Sequence, residues 1–462
     1  MTDDASLDAI AFGTDGWRAT LDTFTAPRVR AVGQAVADHL AAADLGSTTV
    51  AVGYDARDSS PGFATDLADV LTANGFDVLV PERDLPTPVL AWTVKERGLA
   101  GGLMLTASHN PPEYNGVKFL PGDGAPATPE VTDDIVANLR HPVESDETGE
   151  RREVDMVGPY LDHALDFCGD PDCSGLRVAY DAMHGSGRDV TDRLLERAGA
   201  TVERLRCDTD PEFGGVPPEP KADRLADLVA RVVEGDADLG VANDGDADRV
   251  AVVTPEGYVD ANFLYVALYD HLLEAGSGSA VRTVSTTFLV DRVAEAHGEA
   301  VHETAVGFKY VADAMREHSA LFGGEESGGF GVTDHLLNKD GVLVALLAAQ
   351  AHAERPIQDR LADIRAEHGD VVQDRVSVDC PDDRKAPVLR ALGDELPDEV
   401  AGVAVERVNE VDGFKALLAD ESWLLMRPSG TEPKLRVYAE AESEARVAEL
   451  LAAGRELVAP LV

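Results

Sequence analysis

The stretch GGLMLTASHNPPEYNGVKF, residues 101–119, begins as a short apolar strand and then turns at a serine. Asn110 is followed by Pro111 and Pro112, which prevent a helix or a strand from continuing. The chain is therefore predicted to turn with Ser108 near the tip, facing solvent. Taken alone, such a turn is more typical of an Asx-type cap than of a nucleophile loop.

The same arrangement of a strand, a helical stretch and a second, loop-bearing strand recurs three times. In the first copy, TTVAVGYD (48–55) leads through GFATDLADVLTANGF (62–76) to residues 101–111. The second and third copies run from GLRVAYDAMHGSG (175–187) to DLGVANDGDADR (238–249), and from RTVSTTFLVDRVAEAHG (282–298) to ALFGGEESGG (320–329). Strands that alternate with helices predict parallel βαβ units whose loops lie at the carboxyl ends of the strands.

This pattern predicts an α/β protein in which three similar α/β domains, with mixed, mostly parallel sheets, are followed by a smaller α+β domain. All four are expected to surround a central cleft. The polar segment HPVESDETGERR, residues 141–152, is interpreted as the first linker. The predicted domains are 1–152 with the serine loop, 153–256 with an acidic loop, 257–370 with a glycine-rich loop, and 371–462.

The acidic loop VANDGDADRV, residues 241–250, places three carboxylates at alternate positions after an apolar strand. These carboxylates belong to Asp244, Asp246 and Asp248. So much like charge is difficult to hold together without a divalent cation, although a solvated acidic turn is the alternative in so acidic a chain. A calcium-binding helix-loop-helix is excluded, because Arg249 and Pro255 stand where its loop needs Gly and Glu. The loop therefore predicts Mg²⁺, with coordination positions left for substrate oxygen or water.

Two further loops carry groups suited to a sugar and a phosphate. In FGGEESGGF, residues 322–330, Glu325 and Ser327 can hydrogen-bond sugar hydroxyls, while the glycines permit a tight turn. In RPSGTEPKLR, residues 427–436, backbone N–H groups, hydroxyls and guanidinium groups can surround a phosphate dianion. The phosphate-binding residues predicted there are Arg427, Ser429, Gly430, Thr431 and Arg436. Alone, either loop is equally consistent with a simple polar turn.

The composition is strongly acidic, with 85 acidic and 40 basic residues and a net charge of −45. Because the acidic residues are spread through the chain and not collected in a tail, we expect adaptation to a salt-rich cytoplasm, as in a halophile. Nucleic acid is not expected as a partner, since its phosphates would be repelled. No long apolar run occurs and the N-terminus is acidic, so neither a membrane span nor a signal peptide is expected. The four cysteines are expected to be reduced in a cytoplasmic protein.

Together, and in this order, the four loops resemble those of the α-D-phosphohexomutase superfamily, the phosphoglucomutases and phosphomannomutases. The resemblance extends nearly from end to end of the chain. Four more segments match the family's patterns: FGTDGWR (12–18), VGYDARDSS (52–60), YDAMHGSG (180–187) and AVGFKY (305–310).

The resemblance implies that Ser108 carries a phosphoryl group, gives it to the substrate to form a hexose 1,6-bisphosphate, and takes the other phosphate back. It implies Mg²⁺ bound by Ser108 and the three aspartates of the acidic loop. Arg18, Arg249 and Lys118 are expected around the reacting centre, with Lys118 either a proton-transfer base or a cation paired with phosphate. His109 is expected to orient the loop. The sugar-binding group is expected to comprise Lys309, Glu325 and Ser327.

The substrate expected from the resemblance is a small phosphosugar. Bifunctional members typically carry GEMSGH, whereas this chain has GEESGG followed by DHLLNKDG (334–341), which is more similar to glucose-directed members. Phosphoglucomutase activity is therefore expected first, with phosphomannomutase and phosphoglucosamine mutase as alternatives. A Mg²⁺-dependent sugar-phosphate phosphatase or binding protein is the alternative from another class. The oligomeric state is left open.

Overall fold

The computed structural model describes residues 6–13, 15–43, 46–143, 148–430 and 432–462. These residues form four sheets in chain order, each covered by helices. The predicted α/β class with a C-terminal α+β domain is confirmed. No described helix has both the length and the apolar character needed to cross a bilayer.

The first sheet of the described chain has the strand order β1-β5-β4-β2-β3-β6. Its strands are β1 (Trp17–Thr20), β2 (Thr49–Tyr54), β3 (Asp77–Pro81), β4 (Gly101–Leu105), β5 (Tyr114–Pro121) and β6 (Arg151–Val154). Its helices are α1 (Ala26–Ala42), α2 (Ser60–Ala73), α3 (Thr87–Glu96) and α4 (Pro129–Ala137). Since β6 pairs with β3, the predicted linker overlaps the first sheet at its last two residues.

The second sheet has the strand order β11-β10-β9-β7-β8. Its strands are β7 (Arg177–Asp181), β8 (Thr201–Leu205), β9 (Leu239–Asn243), β10 (Val250–Thr254) and β11 (Gly257–Val259). The α-helices in this part are α5 (Val157–Phe167), α6 (Thr191–Arg197) and α7 (Ala226–Val233). Strand β11 pairs with β10, so the second sheet extends a few residues beyond the predicted boundary at 256. The four domain limits themselves stay a prediction.

The third sheet has the strand order β13-β12-β14-β15. Its strands are β12 (Ala280–Thr283), β13 (Val301–Thr304), β14 (Phe322–Gly324) and β15 (Phe330–Val332). Its helices are α8 (Ala261–Ala275), α9 (Leu289–His297), α10 (Phe308–His318), α11 (Gly341–Glu354) and α12 (Ile357–His368). Helix α11 is apolar on nearly every face, as expected of a fully packed helix, and it lies against β9 and β10 of the second sheet. One apolar core therefore continues from α3 through the second sheet into the third.

The C-terminal sheet is antiparallel, with the order β16-β21-β20-β19-β18-β17. Its strands are β16 (Val372–Asp379), β17 (Glu399–Val400), β18 (Val403–Asn409), β19 (Phe414–Leu418), β20 (Trp423–Pro428) and β21 (Lys434–Ala441). Helices α13 (Asp382–Glu395) and α14 (Glu444–Val458) accompany it, and α14 packs on β16, β20 and β21. This unit has its own apolar core.

The first three sheets repeat one topology. In each, a central strand pairs in parallel with the next strand of the chain on one side and with a loop-bearing strand on the other, as in β3-β2-β4, β8-β7-β9 and β13-β12-β14. The loop-bearing strand then pairs antiparallel with the strand that follows it. The serine, acidic and glycine-rich loops therefore occupy equivalent positions in three consecutive units.

Candidate active site

The serine loop is held in an unusual backbone conformation. Ser108 has φ of 52°, in the left-handed region that side chains other than glycine rarely adopt. Its N–H donates to Thr106 Oγ1 at 2.8 Å, and its Oγ donates to Asp244 Oδ2 at 2.8 Å. The loop thus aims its hydroxyl at the acidic loop of the neighbouring domain.

The prediction that Ser108 faces solvent is wrong. The residue is fully buried, because the acidic loop packs directly against the serine loop. A Cβ added to Gly245 would lie 2.5 Å from the Ser108 carbonyl oxygen, closer than real Cβ contacts. The absence of a side chain at Gly245 therefore permits this approach of the two loops.

Arg57 fixes the shape of the serine loop. Its guanidinium donates to four carbonyl oxygens along the loop, at 2.7 to 3.1 Å. These carbonyls belong to Ser108, Asn110, Pro111 and Tyr114. Asp55 accepts from Arg57 Nε at 3.1 Å, so the buried arginine has a carboxylate partner. A planar guanidinium suits this task because its five N–H groups have fixed directions.

The three aspartates of the acidic loop fit a metal ion. They are fully buried, and one carboxylate oxygen from each lies within 4.8 Å of the others. Among the described residues, Asp246 Oδ1 and Asp248 Oδ1 are buried without any hydrogen-bond partner. Burial, together with the charges of its two neighbours, raises the pKa of Asp244 well above its ordinary value. Unsatisfied buried oxygens and mutual repulsion are both relieved by a hard divalent cation.

Two lysines from distant segments compensate the same carboxylates. Lys118 Nζ lies 2.8 Å from both Asp246 Oδ2 and Asp248 Oδ2, and 3.0 Å from Asp15 Oδ2. Lys339 Nζ lies 2.8 Å from Asp248 Oδ2 and 3.3 Å from Asp15 Oδ2. Although burial opposes it, the attraction of Asp15, Asp246 and Asp248 raises the pKa of Lys118 well above its ordinary value. The protonated, cationic form of Lys118 is therefore the stable one here.

The two predicted arginines and His109 surround the serine. Arg18 donates to Asn110 Oδ1 at 3.4 Å and pairs with Asp15 at 3.2 Å. The Arg249 backbone N–H donates to Asp244 Oδ1 at 3.1 Å, and its buried Nε has no hydrogen-bond partner among the described residues. His109 Nδ1 lies 3.2 Å from Ser108 Oγ. Burial, followed by the positive charges of Arg249 and Arg18, lowers the pKa of His109 well below its ordinary value, so this ring is neutral.

The glycine-rich loop is joined to the acidic loop by a backbone hydrogen bond from Val250 N–H to the Gly328 carbonyl, at 3.0 Å. Glu325 Oε1 accepts from the Gly307 N–H at 3.0 Å, and burial raises the pKa of Glu325 to about 7 although Lys339 opposes the shift. Ser327 is exposed. Lys309 Nζ lies 5.2 Å from the centre of the Tyr310 ring. The loop therefore offers one buried carboxyl group and one exposed hydroxyl.

The fourth loop lies in the C-terminal sheet, with Arg427 on β20 directly opposite Arg436 on β21. Arg427 pairs with Asp412 at 2.8 Å, and Arg436 with Glu432 at 2.9 Å. Asp412 Oδ2 also accepts from the Val306 N–H of the third domain, at 3.1 Å. Two arginines at facing strand positions supply two guanidinium groups to one part of the sheet, which suits a phosphate site.

Of the other three predicted residues of this loop, the structure describes Ser429 and Gly430. Glu432 N–H donates to Ser429 Oγ at 3.2 Å, and Lys385 donates to the Ser429 carbonyl at 2.6 Å. Gly430 is exposed at the turn. Thr431 lies outside the described residues.

Four functional positions were not predicted. Asp15, Arg57 and Lys339 lie within segments whose patterns were recognised, FGTDGWR, VGYDARDSS and DHLLNKDG, but nothing local assigned them a role. Thr87 donates to Asp246 Oδ2 at 2.6 Å from the first turn of α3, and no sequence signal marks it. Arg57 contacts the serine loop, and Thr87 and Lys339 contact the acidic loop. Asp15 reaches the acidic loop through its ion pair with Lys118.

A serine hydroxyl directed at a loop whose carboxylates fit a divalent cation is suited to phosphoryl transfer. The chain matches four successive family models. These are the phosphoglucomutase/phosphomannomutase α/β/α domain I over residues 9–145, domain II over 159–257, domain III over 260–368 and the C-terminal domain over 377–457. It therefore belongs to the phosphoglucomutase/phosphomannomutase family of phosphohexomutases, which are intramolecular phosphotransferases.

Relatives and solved structures match over nearly the whole chain. A Methanopyrus kandleri protein named "probable phosphoglucosamine mutase" is 37% identical, covering 95% of each chain. A phosphopentomutase of Thermococcus kodakarensis is 34% identical, covering 98% of each chain. A solved phosphoglucomutase/phosphomannomutase family protein from Burkholderia thailandensis shares the fold, with a TM-score of 0.86 and 24% identity, covering 99% of this chain and 98% of that one.

Proposed function

We propose that this protein interconverts hexose 1-phosphate and hexose 6-phosphate through phosphorylated Ser108, with glucose phosphates as the first substrates. The observation that carries the proposal is the 2.8 Å hydrogen bond from Ser108 Oγ to Asp244. It brings a nucleophilic oxygen into direct contact with a loop that fits a divalent cation. The family supports the reaction class, and the site supports the residue roles.

The proposed cycle has two phosphoryl transfers. Phosphorylated Ser108 gives its phosphoryl group to a free hydroxyl of the sugar phosphate, which produces a hexose 1,6-bisphosphate and the free serine. Ser108 then takes the other phosphoryl group from the bisphosphate. This regenerates phosphorylated Ser108 and releases the isomeric monophosphate. In the first transfer the proton of the sugar hydroxyl passes to Ser108 Oγ, and in the second it passes from Ser108 Oγ to the sugar oxygen that loses its phosphate.

Mg²⁺ is the proposed cofactor, held by Asp244, Asp246, Asp248 and an oxygen of phosphorylated Ser108, where it would offset negative charge on the transferring group. Lys118 is proposed as a second cation at this centre, since its three carboxylate partners favour the protonated form. Arg18 and Arg249 are proposed to bind the equatorial phosphoryl oxygens. His109, being neutral, is proposed to orient the serine by donating from its Nδ1–H to Ser108 Oγ, because the serine proton is donated to Asp244.

The sugar and its distal phosphate are proposed to bind at the third and fourth loops. Glu325, Ser327 and Lys309 would contact sugar hydroxyls. The residues proposed for the phosphate that is not transferred are Arg427, Ser429, Gly430, Thr431 and Arg436. The placement of Arg427 opposite Arg436 supports this assignment, because a phosphate dianion has enough oxygens to accept from both arginines.

The choice of glucose is supported by the glycine-rich loop. A Cβ at Gly329 would lie 2.5 Å from Lys339 Cδ, so a histidine there, as in GEMSGH, would displace a lysine that pairs with Asp248. Glucosamine phosphate is the second candidate, favoured by the name of the M. kandleri relative. Mannose phosphate is the third. A mutase assay with the three hexose 1-phosphates, in high salt with Mg²⁺ and catalytic glucose 1,6-bisphosphate, ranks them by kcat/KM.

This assay also distinguishes a mutase from the other classes. Isomeric sugar phosphate without free phosphate supports the proposal, and stimulation by glucose 1,6-bisphosphate supports its phosphoserine cycle. Release of inorganic phosphate alone would identify a phosphatase, and binding without turnover would identify a binding protein.

We expect Ser108→Ala to lower mutase turnover by about 10³-fold or more while the protein stays folded, because the hydroxyl carries the phosphoryl group. Intact mass after incubation with glucose 1,6-bisphosphate should show one phosphate on the wild type and none on the variant. The control is Ser277→Ala, at an exposed serine before β12. Turnover of Ser108→Ala equal to that of this control would contradict the phosphoserine assignment.

A further inference from the structure

A second group of metal-ligand side chains lies in the third domain, outside all four loops. It consists of His271 and Glu274 near the end of α8 and Glu354, the last residue of α11; we name it the His271 cluster. His271 and Glu274 are three residues apart and therefore share one face of their helix. One ligand atom from each of the three lies within 4.8 Å of the other two.

The imidazole in this cluster is buried without a partner. The His271 side chain is only 8% exposed, and among the described residues its Nδ1 has no hydrogen-bond partner. Nδ1 is nevertheless directed at two carboxylates, lying 3.6 Å from Glu354 Oε2 and 3.9 Å from Glu274 Oε2. These separations are too long for hydrogen bonds. They are compatible with ligands that share one ion at about 2.0–2.2 Å each.

The charges around the cluster favour a cation. Both carboxylates lie at helix C-termini, where the partial negative charge of the helix end disfavours them. Arg360 compensates Glu274 only in part, since its guanidinium pairs with Glu274 at 2.9 Å and also with Asp270. Glu274 Oε2 both faces His271 and accepts from Arg360, and the second oxygen, Oε1, leaves the carboxylate a further position for a metal. Burial lowers the pKa of His271, and the neutral imidazole is the form that binds metals.

We propose that the His271 cluster is a binding site for a divalent transition-metal ion of the zinc class. His271 Nδ1 and one oxygen each from Glu274 and Glu354 would be the protein ligands. One nitrogen and two oxygen donors suit Zn²⁺ better than Mg²⁺, which prefers oxygen alone. The ion would join the C-terminal ends of α8 and α11, so its role is to stabilise the third domain.

The test measures thermal unfolding of the full-length protein in saturating Mg²⁺ and high KCl, with and without added ZnCl₂. Zinc at about 100 times its Kd should raise the melting temperature of the wild type by about 3 °C. His271→Gln and Glu354→Gln should each lose most of this shift. Because Glu354 is half-exposed, its variant should fold even if the buried histidine variant does not. The matched control is Glu367→Gln, an exposed glutamate on α12, which should keep the full shift.

Cobalt supplies a spectroscopic check, since Co²⁺ bound to nitrogen and oxygen ligands has visible absorption that should appear in the wild type and be lost in Glu354→Gln. Mutase activity in Mg²⁺ should be the same for wild type and Glu354→Gln, since the cluster lies outside the catalytic loops. The proposal is overturned if zinc leaves the wild-type melting temperature unchanged. It is also overturned if the shift persists in Glu354→Gln, which would place the zinc at the acidic loop or at thiols.

Discussion

Ser108 illustrates how single residues in this molecule combine strain with tight packing. A left-handed φ at a residue other than glycine costs about 1–3 kcal/mol, and such costs persist where surrounding contacts over-determine the backbone. Here the Thr106 hydroxyl accepts from the Ser108 N–H, and the Arg57 guanidinium donates to the Ser108 carbonyl. The acidic loop packs against the same turn at Gly245. The hydroxyl direction is therefore set before any substrate binds.

Gly245→Ala tests the close approach of the serine and acidic loops. The added methyl group would lie 2.5 Å from the Ser108 carbonyl, so the loops must separate. We expect kcat to fall by about 100-fold, the effect of a displacement near 1 Å between reacting groups, with little loss of secondary structure. Gly62→Ala on α2 is the control, because its added Cβ meets nothing within 4 Å. Equal kcat for the two variants would show that the approach is not needed.

Glu325→Gln tests the pKa of about 7 assigned to the buried carboxyl group. In the unfolded chain its pKa is near 4.5, so between pH 4.5 and 7 the folded protein binds more protons at this site. The stability that the protonated form contributes is present below pH 4.5 and is lost as the pH rises through 7. Relative to Glu325→Gln, the wild type should lose a few kcal/mol of unfolding free energy over this window, at about 1.4 kcal/mol per pKa unit.

The measurement is urea unfolding of both proteins from pH 5 to pH 8 in the same salt. Glu317→Gln, at an exposed glutamate of α10, controls for the loss of one negative charge. A constant difference in unfolding free energy between wild type and Glu325→Gln across this range would contradict the raised pKa.

At the scale of elements, the central and loop-bearing strands of the repeats could be predicted, but the strands that lie between them in the chain could not. The strands β2, β4, β7 and β9 are buried runs that end in polar turns, which is a strong local pattern. The intervening strands β3, β8 and β13 each lie between two helices in the chain, and β8 and β13, which are at sheet edges, contain no fully buried residue. A short edge strand buries little, so its composition resembles that of a loop.

Part of the candidate site could not be predicted from local sequence patterns either. Ser108 and the acidic triad were predicted because each lies within one short segment that carries its own chemistry. Lys339 was not, because its role depends on an ion pair with Asp15, 324 positions earlier in the chain. Thr87 likewise acts on Asp246 across 159 positions. Only tertiary structure brings such partners together.

Arg57→Lys tests whether one side chain shapes a whole loop. Lysine keeps the charge beside Asp55 but cannot donate to four carbonyls in fixed directions. We expect kcat to fall by about 10- to 100-fold, and amide hydrogen exchange in residues 106–114 to become faster, since each lost hydrogen bond to a charged donor is worth about 1.5–3 kcal/mol. Arg30→Lys, whose exposed side chain pairs with Asp66, is the control. Unchanged exchange in the serine loop would contradict this role of Arg57.

At the scale of the whole molecule, the excess of negative charge acts against domain packing. Some buried ion pairs oppose this repulsion. One is the bidentate pair of Arg188 with Asp84, which joins the first and second domains through two contacts of 2.8 Å each. With 85 acidic and 40 basic residues, however, most carboxylates have no such partner available. Salt is the means by which their repulsion is reduced.

We expect the melting temperature and the mutase turnover to rise together between 0.1 M and 2 M KCl. The Debye length falls from about 10 Å at 0.1 M to about 3 Å at 1 M, which suppresses repulsion among surface carboxylates. The same screening weakens binding of a phosphosugar to arginines, so its KM should rise modestly. Differential scanning calorimetry and initial rates across the KCl series are the measurements. A melting temperature that is flat or falls would show that the acidic composition is not a salt adaptation.

The ion pairs of Asp248 with both Lys118 and Lys339 have a consequence for folding during protein synthesis. The ribosome makes the amino-terminal domains first, and they begin to fold while the rest is still being made. A nascent chain of between 248 and 338 residues holds Ser108 and the three aspartates but lacks Lys339, one of the two ammonium groups that pair with Asp248. The reaction centre is thus completed late in translation, and a truncated product cannot assemble it.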